Sequence, residues 1–118
     1  MPDIVPPREE IPFEDLTRID IRVGTILEVS DIPNSRKLVR LTVDLGFATR
    51  TVVVGMKLER EHPREIEGAQ ALFVVNLPPR RMAGFASEAM LFDLGYSDRI
   101  APALAIPERP VPNGTRAG

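Results

Sequence analysis

Two adjacent arginines in a proline-braced segment are the residues of this chain best suited to holding another molecule. The segment Asn76 to Met90 reads NLPPRRMAGFASEAM. Pro78 and Pro79 stiffen the chain, which lowers the entropy lost when a loop holds a partner. Arg80 and Arg81 follow, and a guanidinium is a planar fork that bonds phosphate bidentately and stacks on bases. Gly84 allows the backbone to approach a ligand closely. Asn76 and Ser87 add hydrogen-bonding groups suited to base edges. A surface turn with two solvated arginines fits the same residues, because short motifs are of low specificity.

A second basic run, Ser35 to Arg40, reads SRKLVR. In a strand starting at Lys37, side chains alternate faces, so Lys37 shares a face with Val39 and Arg40 with Leu38. These cations need not form one patch, and a charged strand edge explains them equally. Arg22, between Ile21 and Val23, falls opposite the apolar face. There it either reaches a phosphate backbone or pairs with Asp20 or Asp44. Met82 and Phe85 belong to core or interface, and, if exposed, suit adaptable apolar contacts with a polypeptide.

Aromatic residues number five Phe and one Tyr, with no Trp. A single-strand binder that stacks bases wants exposed aromatics. Their scarcity points to shape and phosphate contacts, or to stacking on arginine.

Catalytic and metal chemistry find little to work with. The chain has no cysteine and one histidine, His62. Disulfides, thiolate metal sites, thiol catalysis and multi-histidine sites are therefore excluded. Glu88 has no evident nucleophile partner and no second carboxylate at short fixed spacing. No glycine-rich phosphate loop of known spacing is present. The residues predict no enzyme, no cofactor and no metal.

The chain has 118 residues, one domain's worth, and its hydrophobic fraction of 43% fits a globular protein. No apolar run approaches the ~20 residues that span a bilayer, and the start of the chain is not a signal peptide. A soluble cytoplasmic protein without membrane insertion is expected. Net charge is -2, but residues 1–20 hold six acids against two bases. The remainder is therefore weakly basic, which is compatible with RNA.

The elements that must position these residues are short strands. Residues 1–12 are proline-rich and read as a flexible leader, and Phe13 to Arg18 suit one helical turn. From Ile19 the pattern alternates with period two as far as Val29, with a bend or bulge expected at Gly24. Leu38 to Val54 reads as a hairpin around Gly46-Phe47-Ala48. Arg64 to Glu67 suits a short helix opening at Pro63 and ended by Gly68. Ala71 to Val75 is a continuous apolar run, hence a strand buried on both faces. Leu77 to Arg81 reads as a rigid exposed turn, Ala89 to Leu94 as a fifth strand, and Ile100 to Ile106 as a weaker sixth. The expected fold is all-β: an OB-fold five-stranded β-barrel with a short helix between strands three and four, plus N- and C-terminal extensions.

Three segments carry a resemblance. DIRVGTILEV (Asp20 to Val29), IPNSRKLVRLTVDLG (Ile32 to Gly46) and NLPPRRMAGFASEAM resemble the tRNA-binding domain family. PPRRMAGF (Pro78 to Phe85) and PVPNGT (Pro110 to Thr115) look closest to its CsaA-type, secretion-associated chaperone branch. The resemblance covers residues 13–118, a single domain. It implies an OB-fold, a homodimer, tRNA as partner, and in the CsaA branch unfolded or exported polypeptides as well. It implies RNA-binding roles for Arg22, Lys37, Asn76, Arg80, Arg81, Gly84 and Ser87. It also implies dimerisation through the N-terminal segment and the C-terminal strands and tail, so that the tail is packed. Two places depart from the family's pattern. Arg36 replaces an acid, and Glu88-Ala89 replaces an amide and a glycine. The carboxylate of Glu88 is expected to repel a nearby phosphate.

Overall fold

A computed structural model describes residues 4–118 of the chain. Residues 1–3, the start of the expected leader, lie outside the described residues. Residues 4–12 run exposed and without regular structure up to α1 (Phe13–Leu16), a single turn with Glu14 and Asp15 at its start. Those acids suit the positive end of a helix.

One antiparallel sheet holds the core. Its strands are β1 (Ile21–Asp31), β2 (Leu38–Asp44), β3 (Thr49–Gly55), β4 (Gln70–Val74) and β7 (Met90–Leu91), in the order β3-β2-β1-β4-β7. A second hairpin, β5 (Arg80–Met82) with β6 (Phe85–Ser87), and a small pair, β8 (Asp93–Leu94) with β9 (Ala103–Leu104), stand apart from it. Between β3 and β4, Pro63–Ile66 forms the expected short helix as a 3₁₀ turn, and Gly68 follows it at φ +89°. Among the described residues no helix is long and apolar enough to cross a membrane.

Alternation builds the core directly. On β2, Val39, Leu41 and Val43 are buried while Leu38, Arg40, Thr42 and Asp44 are only half-buried. Phe73, Ile26, Leu41, Leu45, Val43 and Val52 are the largest fully enclosed side chains. Each such burial stabilises the fold by roughly 1.5–3 kcal/mol relative to exposure.

Long β1 serves two neighbours: Ile21 to Thr25 pair with β4, and Thr25 to Asp31 with β2. The bulge expected at Gly24 is instead a register shift between Ile26 and Glu28. Gly24 answers a different need. A Cβ there would lie 2.7 Å from Val43 Cγ1 and 2.8 Å from Leu45 Cδ2, so only a bare backbone fits beneath β2.

The ladder does not close the expected five-stranded barrel. The outer edge of β3 meets side chains where a barrel would offer another strand. Thr51 N donates to Glu88 Oε1 (2.9 Å) and Val53 N donates to Ser87 Oγ (3.0 Å). One backbone bond joins them, from Glu88 N to Thr51 O at 2.8 Å. Buried donors must be satisfied, and here side-chain oxygens of Ser87 and Glu88 do so in place of a strand's backbone carbonyls.

The expected fifth strand, Ala89 to Leu94, is divided. Met90–Leu91 joins the main sheet and Asp93–Leu94 pairs with β9. The sixth is reduced to Ala103–Leu104. The tail is packed: Val23 N donates to Thr115 O, Gly114 N to Val23 O and Ala117 N to Ile21 O. It runs along the edge of β1 that β2 leaves free.

Candidate nucleic-acid interface

The segment Leu77 to Arg81, expected as a turn, contributes its two arginines to β5. The hairpin β5–β6 turns at Ala83 (φ +50°) and Gly84 (φ +85°). Two consecutive positive φ values suit the twist of a two-residue hairpin and favour glycine at the second position. Register places Arg80 opposite Ser87, Arg81 opposite Ala86 and Met82 opposite Phe85. Alternation therefore splits the arginines. Arg80 shares the body-facing side with Met82, Phe85 and Ser87, while Arg81 and Ala86 lie on the exposed outer side. Arg81 also donates to Gly84 O at 3.0 Å, which fastens it across its own turn.

Arg80 lines a groove of about 880 Å³, together with Lys37, Met56, Leu77, Met82 and Tyr96. Lys37 and Arg80 are both exposed. The five ion pairs among the described residues include neither of them. The loop before Lys37 is fixed from beneath. Lys57 Nζ donates to Ile32 O and Ser35 O, each at 2.8 Å, and pairs with Asp31. Ser35 Oγ receives Leu38 N at 3.0 Å.

Glu59 and Asp93 also line the groove. Burial raises the pKa of both from its ordinary value, and the charge of Asp93 adds to the effect at Glu59. Arg60 draws Glu59 the other way, but less.

Arg22 is held by Asp20, one of its two alternatives at the sequence level. Its Nε donates to Asp20 Oδ1 (2.6 Å), Nη2 to Asp20 Oδ2 (3.2 Å) and Nη1 to Gly114 O (3.2 Å). The Asp20 hydrogen bond raises the arginine's pKa, outweighing desolvation. Its guanidinium carbon also lies 5.5 Å from the centre of the Phe47 ring, and that of Arg50 lies 5.2 Å from the same centre.

Asn76 spends its amide on the frame. Its Oδ1 receives Asp20 N (2.9 Å) and its Nδ2 donates to Arg18 O (2.7 Å), clipping the α1 segment to the end of β4. Ser87 is buried, 8% exposed, and its hydroxyl receives Val53 N and donates to Ala89 O at 3.2 Å. The Ser87 hydroxyl is thus enclosed, while Asn76 is exposed but has both ends of its amide engaged with backbone. Glu88 is likewise turned inward onto Thr51, so its carboxylate does not front the arginines. Arg36 is exposed beside Lys37 and adds positive charge there.

Met82 lines the groove but Phe85 does not. Phe85 instead meets Arg40, whose guanidinium carbon sits 4.7 Å from the ring centre. Arg40 counts among the bases of the SRKLVR run, and nothing in the order of residues prefers it over its neighbours. Its alternation with Leu41 was the available signal. Its pairing with Phe85, 45 positions along, was not visible. Among the described residues no cluster of three side chains suited to a metal occurs.

Residues 21–116 match the family model described as "Putative tRNA binding domain". The chain is 42% identical over 93 residues to the methionine–tRNA ligase of Porphyromonas gingivalis strain W83, covering 79% of this chain and 14% of that protein. It thus spans about one-seventh of the length of that relative. Among solved structures, a MetRS-related protein from Pyrococcus horikoshii superposes with a TM-score of 0.84 at 30% identity, covering 94% of this chain and 100% of the other. The chaperone CsaA from Bacillus anthracis superposes with a TM-score of 0.80 at 31% identity, covering 93% and 100%.

Proposed function

The chain belongs to the tRNA-binding domain family, and from that premise we propose that it is a non-catalytic module of CsaA type that binds structured RNA, tRNA first. The observation that carries this reading is Lys37 and Arg80. Both are exposed, both are outside every ion pair among the described residues, and both line one groove. A cation without a carboxylate partner is free to replace the counterions of a phosphate backbone. Arg81 extends the contact from the outer side of the hairpin. Arg22, neutralised by Asp20, contributes least. Asn76, Gly84 and Ser87 act by holding these cations in position. Titration of tRNA at several salt concentrations tests the reading. Binding that weakens steeply with salt supports it, and no binding at low salt rejects it.

A second reading is favoured by the apolar side of the same groove, where Met56, Leu58, Leu77, Met82 and Phe92 are gathered. Flexible methionines suit an adaptable surface for an unfolded or exported polypeptide. Suppression of client aggregation that short peptides compete away, and tRNA does not, would support it.

The homodimer is part of the proposal. Phe13, Leu16 and Leu77 are 73%, 56% and 48% exposed, which fits burial against a second copy. Light scattering with and without bulk tRNA reports both the oligomer and the complex.

A further inference from the structure

Arg40 of β2 differs from the arginines of β1 and β3. Arg22 is bonded to Asp20 and Gly114, and Arg50 donates to Val75 O (2.8 Å) and Glu88 O (3.2 Å). Arg40 has neither kind of support. It enters no ion pair among the described residues, and its Nε is buried without an acceptor. What holds its guanidinium is the ring of Phe85, 4.7 Å away. Cation and ring attract through the ring's quadrupole, and the contact orients the guanidinium without using its donors.

The surroundings bear on what such a group would hold. Register sets Ser30 of β1 beside Arg40, and Glu28 beside Thr42, two positions along β2 on the same face. Glu28 is exposed and accepts a hydrogen bond from the Ser30 hydroxyl at 3.1 Å. A phosphate placed there would meet the Glu28 carboxylate as well as the Arg40 cation. A nucleobase meets no such conflict. It is neutral, it stacks on a guanidinium or an aromatic ring, and its edge offers both donors and acceptors. Hydroxyls and one carboxylate beside a stacked cation match that mixed edge.

We propose that Arg40 and Phe85 form a composite stacking platform for an unpaired nucleobase, separate from the phosphate contacts of Lys37 and Arg80. The proposal rests on the RNA-binding reading and deepens it: the ligand includes looped or single-stranded nucleotides as well as helix. It also accounts for a binder with few aromatics, because one phenylalanine and one arginine supply the flat surface that two rings would otherwise provide.

The test compares two RNAs with the full chain: a stem–loop carrying 2-aminopurine in its loop, and the stem sequence as a closed duplex. Arg40→Lys keeps the charge and removes the planar fork. Phe85→Leu keeps apolar bulk and removes the ring. Each variant should lose about tenfold in affinity for the stem–loop, the order typical of a lost stacking contact. Duplex affinity should hold, and 2-aminopurine fluorescence, quenched by the parent protein, should recover. A cooperative thermal transition in Phe85→Leu shows that the fold survives. Arg40→Lys, altering no core residue, carries the test alone if it does not. Equal losses on both RNAs would make Arg40 a phosphate contact and overturn the platform. So would unchanged stem–loop affinity in both variants when the parent binds. A parent that binds neither RNA removes the functional reading itself, and the platform with it.

Discussion

Glu88 Oε1 accepts the backbone N–H of Thr51 at 2.9 Å, and Glu88 N donates back to Thr51 O at 2.8 Å. One residue thus satisfies both sides of another at the open edge of β3. The segment after the arginine hairpin is thereby fastened to the sheet, and the cations of β5 are fixed relative to Lys37.

Removing this clasp should destabilise the fold. Glu88→Ala leaves the Thr51 N–H without its acceptor, and a half-buried orphan donor costs about 1–3 kcal/mol. Glu88→Gln retains an oxygen and should cost less. Urea unfolding of the two variants checks the order. Equal stability of Glu88→Ala and the parent would show that solvent replaces the carboxylate without cost.

Charge removal in the groove should act on binding and not on folding. Lys37→Ala combined with Arg80→Ala removes two candidate phosphate contacts. The slope of log affinity against log salt should fall by about 1.4 to 1.8, the counterion equivalent of two contacts. Filter binding of tRNA across a salt series measures it. A slope identical to the parent's would remove both residues from the RNA contact.

Asn76 is predicted to separate stability from affinity. Asn76→Ala breaks the bonds to Asp20 N and Arg18 O, and should cost about 1–2 kcal/mol, since two exposed hydrogen bonds of modest net worth are lost. The salt dependence of RNA binding should not change. A reduced salt slope with unchanged unfolding would reverse the assignment and make Asn76 a ligand contact.

The acids of the groove make a pH-dependent prediction. Glu59 has a raised pKa, chiefly through burial and then through the Asp93 charge. A carboxyl whose folded pKa lies above its unfolded value binds more protons in the folded state. Stability then falls as pH rises from the unfolded pKa through the folded one. Glu59→Gln should therefore stabilise the protein at neutral pH, and the gain should shrink as pH falls through the raised folded pKa toward the ordinary carboxylate value. Thermal melts of both proteins across that range test it. A difference that is constant with pH would point to packing alone.

Much of the frame was legible because its causes are local. The alternation of Leu41 and Val43 with Thr42 and Asp44 gave β2 and its buried face. Gly46 marked the turn to β3, and Pro63 and Gly68 bracketed the short helix. The hairpin at Arg80 to Ser87 escaped because Pro78-Pro79 reads as a turn, and only strand pairing reveals that the chain folds back at Ala83-Gly84. Gly24 was correctly singled out for an incorrect reason. Its period-two context suggests a bulge, whereas the demand comes from Val43 on the neighbouring strand and from Leu45 just past its end.

The same division governs the site. Residue types and their order along the chain were enough to indicate an all-β domain and which segments carry the cations, because hydrophobic period and turn chemistry depend on near neighbours. The family came from the likeness of three motif segments. Which of those cations are free was decided only by tertiary structure. Asp20 takes Arg22, Thr51 takes Glu88, Val53 takes Ser87, and Phe85 takes Arg40 without using its donors. Except for Asp20 and Arg22, those partners are more than thirty positions apart. Hydrogen bonding and stacking act over a few ångströms of space, and a distance along the chain does not report them.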